Sequence, residues 1–211
     1  MQDRLLPILK VLGMVIAIFG LTMLFPLVIS EALDDAARAA FDQAVPITLG
    51  SGLFLWLLSR HNTRELRSRD GFLLVVLIWT VLPVFAALPL LIHLPELSFT
   101  DAYFETMSGL TTTGATVLSG LDQLPASINI WRAQLHLLGG LGVIVLAVAV
   151  LPLLGVGGRQ MYKAETPGPM KDTKLTPRME ETAKGLWVVY LFFTGLCFIA
   201  FWLAAWVGST P

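Results

Sequence analysis

The sequence predicts an all-α polytopic membrane protein, with five transmembrane helices plus one re-entrant pore helix and filter loop. Three observations predict it. Of 211 residues, 55% are hydrophobic and only 14% charged, with a mean hydropathy of +0.75; a soluble domain carries about 25% charged residues. Five charge-free stretches approach or exceed the roughly 20 residues that cross a bilayer: residues 11–30, 43–59, 71–95, 133–158 and 185–211. A further charge-free stretch, 106–121, is crowded with Thr, Ser and Gly and contains Thr111-Thr112-Thr113-Gly114-Ala115-Thr116.

The elements follow in order. Arg4 and Lys10 precede the first stretch. That stretch is too long for a signal-peptide core and no A-x-A site ends it, so it is a retained helix. The second is the shortest and borrows Phe41 and its neighbours. Pro83 and Pro89 interrupt the third, which predicts a kink whose lost hydrogen bonds a bundle can compensate. Phe99–Leu110 reads as a helix too short to span, capped by Ser98 with Asp101 three residues on. The polar run follows it, then a long helix beginning near Trp131. Trp79, Trp131, Trp187, Trp202 and Trp206 lie in or at the ends of apolar segments, where some are expected to anchor the interfaces. The organisation is two N-terminal transmembrane helices (1–70), an outer helix–pore loop–inner helix unit (71–158), a cytoplasmic loop (159–183) and a last helix (184–211).

Charge tests this topology. With the N-terminus in the cytoplasm, the inner segments hold Arg4 and Lys10, then Arg60, Arg64, Arg67 and Arg69, then Arg159, Lys163, Lys171, Lys174, Arg178 and Lys184. Only Arg38 and Arg132 of the 14 Lys and Arg remain outside. Lys/Arg bias of this kind sets membrane orientation, and it puts the polar run on the outer side.

Short helix, polar run and spanning helix are the parts of a pore loop. Backbone carbonyls there can replace the hydration shell of an alkali cation. The candidate filter is Thr112, Thr113, Gly114, Ala115 and Thr116, with K+ at Thr112, Thr113 and Gly114. A Thr-rich run with one Gly is more often structural; its place between a half-length helix and a full span reverses that judgement. The negative end of the short helix, near Ser108–Leu110, would favour a cation, and Gly114 can adopt backbone conformations that line up carbonyls. Asp101 reads as a capping residue. Glu105 is evenly divided between attracting cations at the outer mouth and packing behind the filter.

Other residues carry weaker signals. His136 is a candidate proton relay, with a satisfied packing residue the stronger reading. Gly139, Gly140 and Gly142 permit close helix approach. Cys197, the single cysteine, reads as a buried helix residue. No catalytic nucleophile, acid–base pair, phosphate loop or thiolate–imidazole cluster is visible, which argues against an enzyme and against a cofactor. A net charge of −1 and a pI near 6.3 argue against nucleic acid as a partner.

The segment Asp101–Thr116, DAYFETMSGLTTTGAT, resembles the first pore loop of the TrkH/TrkG potassium-uptake proteins of the Trk/Ktr/HKT superfamily. The resemblance continues through Trp131–Arg132, Gly139–Gly142, Leu146–Gly158 and Tyr162–Thr182. It implies four linked repeats of outer helix, pore helix, filter loop and inner helix, preceded by two extra helices. Gly114 matches the first filter glycine. It also implies monovalent cation transport in the bacterial inner membrane, a homodimer at full length, and a cytosolic nucleotide-binding regulatory subunit of the TrkA type. The 211 residues hold one filter loop, a quarter of a carbonyl ring, and so read as an N-terminal fragment, forming no normal pore unless several copies associate. The alternatives are a non-conducting membrane fragment, or a secondary transporter of another solute with its site at broken helices.

The topology is testable by cysteine labelling in a Cys197→Ser background. Cysteines at Ser68 and Ser119 are expected to react from opposite faces; labelling of both from the periplasm defeats the five-span arrangement.

Overall fold

The computed structural model describes residues 2–61, 64, 68–150 and 175–208. The all-α expectation holds: no strand occurs among the described residues. The helices are α1 (Gln2–Thr22), α2 (Leu24–Leu33), α3 (Arg38–Ser59), α4 (Ser68–Ala86), α5 (Leu88–His93), α6 (Phe99–Leu110), α7 (Ala126–Val150) and α8 (Leu175–Gly208). Five segments are long and apolar enough to cross a membrane: Leu5–Leu33, Arg38–Ser59, Asp70–His93, Ala126–Leu146 and Glu181–Trp206.

Three details differ from the sequence reading. The first span is broken at Met23, between α1 and α2. The fourth begins at Ala126, before Trp131, and its expected end at 151–158 lies outside the described residues. Helix α8 begins at Leu175, ahead of the expected start, while 159–174 of the segment expected to be a cytoplasmic loop also lie outside the described residues. The third span breaks at Ala87, between its two prolines, as a kink there requires.

The chain divides into two units, Met1–Gly139 and Gly140–Pro211, with the boundary inside α7. The core of the first is built on Trp131. Its side chain is fully buried, with ring centroids 5.6 Å from Phe19 of α1 and 6.3 Å from Phe41 of α3. Its Nε1–H donates to the Ala86 carbonyl at 3.0 Å. One residue thus joins α7 to α1, α3 and α4. Of the five tryptophans expected in or at the ends of apolar segments, Trp131 is thus a core residue, buried among three helices.

Small residues bring α1 and α3 together. A β-carbon at Gly52 would sit 2.5 Å from the Ala17 nitrogen, and one at Gly13 2.7 Å from the Gly52 carbonyl, so the two backbones touch, as membrane helices do at glycine crossings. In the second unit, a β-carbon at Gly140 would lie 2.3 Å from the Tyr190 hydroxyl, and Trp187 Nε1 donates to the Leu141 carbonyl at 3.3 Å. Most of α8 is otherwise exposed, Cys197 included. Cys197, expected to be buried, is exposed on this helix.

Asp35, between α2 and α3, holds the start of α7. It accepts from the Ser127 N–H and hydroxyl, both at 3.0 Å, from the Ala37 N–H at 3.1 Å, and from the Ser30 hydroxyl. A carboxylate on the first N–H groups of a helix satisfies orphan donors and favours the helix dipole. Partial burial pushes the Asp35 carboxyl up, but the hydrogen bonds from Ser30, Ser127 and Ala37 outweigh it and hold the group below the usual carboxylate range. A lowered folded pKa stabilises above the unfolded value, near 3.9, and that stabilisation is lost as pH falls through the folded value. Asp35→Asn is therefore expected to cost about 1–2 kcal/mol at neutral pH. The gap to wild type, measured by thermal unfolding in detergent, closes below about pH 4.

Candidate pore loop

Helix α6 starts where its capping residues dictate. Ser98 has extended backbone (φ −68°, ψ 153°) and its side chain accepts from the Asp101 N–H at 3.1 Å. The Ser98 hydroxyl in turn donates to the Asp101 carboxylate at 2.7 Å. Asp101 is thus engaged in the cap. Hydroxyls then fasten α6 to α4 where Pro83 disturbs the ladder. Thr106 Oγ1 donates to the Pro83 carbonyl at 2.9 Å, and the Tyr103 hydroxyl to that of Thr80 at 3.2 Å.

The end of α6 runs directly into the Thr/Gly loop. The Thr112 N–H bonds the Gly109 carbonyl and the Thr113 N–H the Ser108 carbonyl, both at 2.9 Å. With Thr112 left-handed at φ +57°, this is a Schellman ending, with threonine where glycine is usual. A β-branched residue at positive φ is an outlier, and such strain persists only where the surroundings enforce it. Gly114 follows at φ +76°. A β-carbon there would meet nothing nearer than His136 Nε2 at 3.9 Å, so backbone conformation, and not space, selects glycine.

Donors and acceptors in the loop are unequally used. The N–H groups of Thr111, Thr112 and Thr113 are all bonded to carbonyls of α6. The Thr111 hydroxyl donates to Met107, and the Thr111 and Thr113 hydroxyls share a bond of 2.8 Å. Among the described residues, no donor reaches the carbonyls of Thr112, Thr113 or Gly114. The Ala115 carbonyl accepts from the Ser108 hydroxyl at 2.7 Å. The Thr116 hydroxyl turns back to Glu105. Thr112–Val117 are exposed.

Glu105 settles between its two readings: it packs behind the loop. Its side chain is only 4% exposed and pairs with Arg132 at 2.6 Å. The Thr116 hydroxyl and the Val117 N–H complete the set, at 2.9 and 3.1 Å from Oε2. Arg132, read from sequence as an outer loop charge, is a half-buried partner on α7. Sequence reasoning missed that pairing, along with Asp35 and Ser127. Only the run of Glu105 and Arg132 through otherwise charge-free segments hinted at it.

His136 lies one turn beyond Arg132, with Nδ1 2.9 Å from the Arg132 carbonyl. A carbonyl only accepts, so Nδ1 carries a proton. His136, Arg132, Asn129, Ala133, Leu121 and Asp122 line an open depression of about 440 Å³. Gly139 meets the end of α6, and a β-carbon there would stand 2.0 Å from the Leu110 carbonyl. No cluster of metal-ligating side chains occurs among the described residues.

A family profile described as TrkH, cation transport protein, matches residues 38–210. The chain belongs to the TrkH family. It is 51% identical over 205 residues to the Trk system potassium uptake protein TrkH of Vibrio parahaemolyticus, covering 97% of this chain and 42% of that protein. It is 50% identical to TrkH of Escherichia coli K12, over 93% of this chain and 41% of that one. Trk system potassium uptake protein TrkG of the same strain is 42% identical over 193 residues. The crystal structure of the potassium transporter TrkH from Vibrio parahaemolyticus superposes with a TM-score of 0.79 at 46% identity, covering 97% of this chain and 40% of that one. The chain thus spans about 40% of the length of the TrkH relatives it matches, and its sequence-derived resemblance is borne out.

The Gly139 contact gives a direct test of the TrkH-type packing between α7 and the pore helix. Gly139→Ala is expected to cost at least about 1 kcal/mol, since overpacking a tight site does so. Gly50→Ala, with nothing within 4 Å, is not expected to destabilise by crowding. Equal thermal midpoints for the two variants in detergent contradict the contact.

Proposed function

We propose that this chain builds the first outer helix–pore helix–loop–inner helix repeat of a potassium uptake protein. It sits in the bacterial inner membrane with its N-terminus cytoplasmic. Thr112–Thr116 form one of four filter loops, and K+ is held by the carbonyls of Thr112, Thr113 and Gly114. Ala115 and Thr116 shape the loop from behind. At full length the protein pairs with a second copy and with a cytosolic nucleotide-binding regulatory subunit.

One observation carries this reading: the N–H groups of Thr111, Thr112 and Thr113 are engaged while, among the described residues, three successive carbonyls have no donor. Extended backbone at membrane depth is tolerated only where it is buried or lines a watery path. Free carbonyls there suit a cation that sheds water. The loop adds no formal charge, because Glu105 is matched by Arg132. A neutral oxygen site fits a monovalent ion, whereas calcium sites recruit carboxylates. The potassium uptake relatives support the same cargo.

The test is Gly114→Ser in the full-length protein carrying this segment. A β-carbon at φ +76° costs about 1–2 kcal/mol, enough to displace the carbonyls. The variant is expected to lose growth at low external K+ in a K+-uptake-deficient bacterium, at matched expression. Asp122→Asn, in the outer depression, is expected to change growth less. Unchanged growth and K+/Na+ preference for Gly114→Ser removes the loop from the selectivity mechanism.

A further inference from the structure

We propose that Glu105 and Arg132 are positioning residues that set the filter loop's discrimination between K+ and Na+, acting from behind the loop and touching no ion. The proposal rests on the filter reading above. Glu105 has one hydroxyl, one N–H and two guanidinium N–H groups around a carboxylate that water scarcely reaches. Arg132 supplies Nε at 2.8 Å and Nη2 at 2.6 Å, both to Oε1. Thr116 then links the pair to the backbone: its hydroxyl donates to Glu105, accepts from the Leu118 N–H at 3.1 Å, and lies 3.4 Å from Arg132 Nη2. Three consecutive residues of the loop's second limb, Thr116 to Leu118, are therefore fastened to one ion pair. Ser108 fastens Ala115 beside them.

The chemistry separates positioning from attraction. A carboxylate that attracts cations at a mouth works through water and is screened by salt. A buried carboxylate saturated with donors has little field left to offer and acts through geometry. Its geometry depends on the fork of the guanidinium, which lysine lacks. Gly114 stands two residues from the fastened limb, so slack at Thr116 reaches the free carbonyls at once. The strained Thr112 and left-handed Gly114 hold their conformations only while both limbs are fixed.

The experiment uses the full-length protein in proteoliposomes, with Rb+ and Na+ fluxes measured at low and high ionic strength. Glu105→Gln, Arg132→Lys and Thr116→Val are compared with Gly114→Ser. Breaking a buried pair is strongly destabilising, so monodispersity is checked, and Thr116→Val serves as the variant that spares the ion pair. Rb+/Na+ preference is expected to fall roughly ten-fold for Arg132→Lys and for Thr116→Val, at both ionic strengths, because the fork and the hydroxyl fix the loop. Preserved preference in both, with Gly114→Ser still impaired, overturns the positioning role and leaves the filter intact. A loss that disappears at high ionic strength overturns it in favour of charge attraction. Unchanged preference in Gly114→Ser as well defeats the filter reading itself.

Discussion

A buried carboxylate is the constraint around which the pore loop is arranged. Glu105 points inward from α6, out of reach of water, and a charge so placed has to be matched and hydrogen-bonded. The match comes from Arg132 on α7, and the remaining donors from Thr116 and Val117. Satisfying one side chain therefore fixes three things: the distance between α6 and α7, the path of the loop's second limb, and the matching of the buried charge behind the loop. Arg132 is in turn only as well placed as α7. Positions 127, 131 and 134 of α7 meet Asp35, Phe19, Phe41, Ala86 and Thr22. Positions 132, 136 and 139, each five residues further on and so about 140° round the helix, meet α6 and its loop. The N-terminal helices thus act on the loop through the opposite flank of a single helix.

Backbone carbonyls at the proline bends supply the other half of this arrangement. Pro26 brings no N–H to the Thr22 carbonyl four residues before it, and the Gln134 side chain donates to that carbonyl at 2.7 Å. The break at Met23 is thereby stabilised from α7. On the third span, Thr106, Tyr103 and Trp131 donate to the carbonyls of Pro83, Thr80 and Ala86. In lipid an unpaired carbonyl is costly; Pro26 creates an acceptor that Gln134 meets, while on the third span the donors find carbonyls beside the bend, that of Pro83 also accepting from the Ala87 N–H at 2.9 Å. Those acceptors specify which helices pack together, a task that apolar contact alone performs poorly where lipid is equally apolar.

Local signals made much of this legible from sequence. The limits of α6 followed from Ser98 and Asp101, because a cap is a short-range code. The loop followed from its composition, and Gly114, singled out for the backbone freedom of glycine, stands at φ +76°. What stayed hidden was pairing across long separations. Nothing near Asp35 announces Ser127, 92 positions away, and Arg132 was counted as a topological charge because counting ignores burial. Which of the five tryptophans anchors an interface stayed open for a related reason: hydropathy does not separate a residue facing lipid from one facing other helices, as Trp131 does. The break at Met23 had a signal in Pro26 that went unread, since hydropathy runs smoothly across it.

The ties on the loop also say where its geometry comes from. Among the described residues, the groups that hold Thr111–Leu118 lie on α6, on α7 and within the loop itself. The left-handed turn at Thr112 is an extension of the α6 helix end, and the second limb is bound to an ion pair between the same two helices. The loop's conformation is therefore specified inside one outer helix–pore helix–inner helix unit. In the filter proposed above, supporting side chains elsewhere can diverge, provided that this pair of helices still fixes the height and tilt of the three carbonyls.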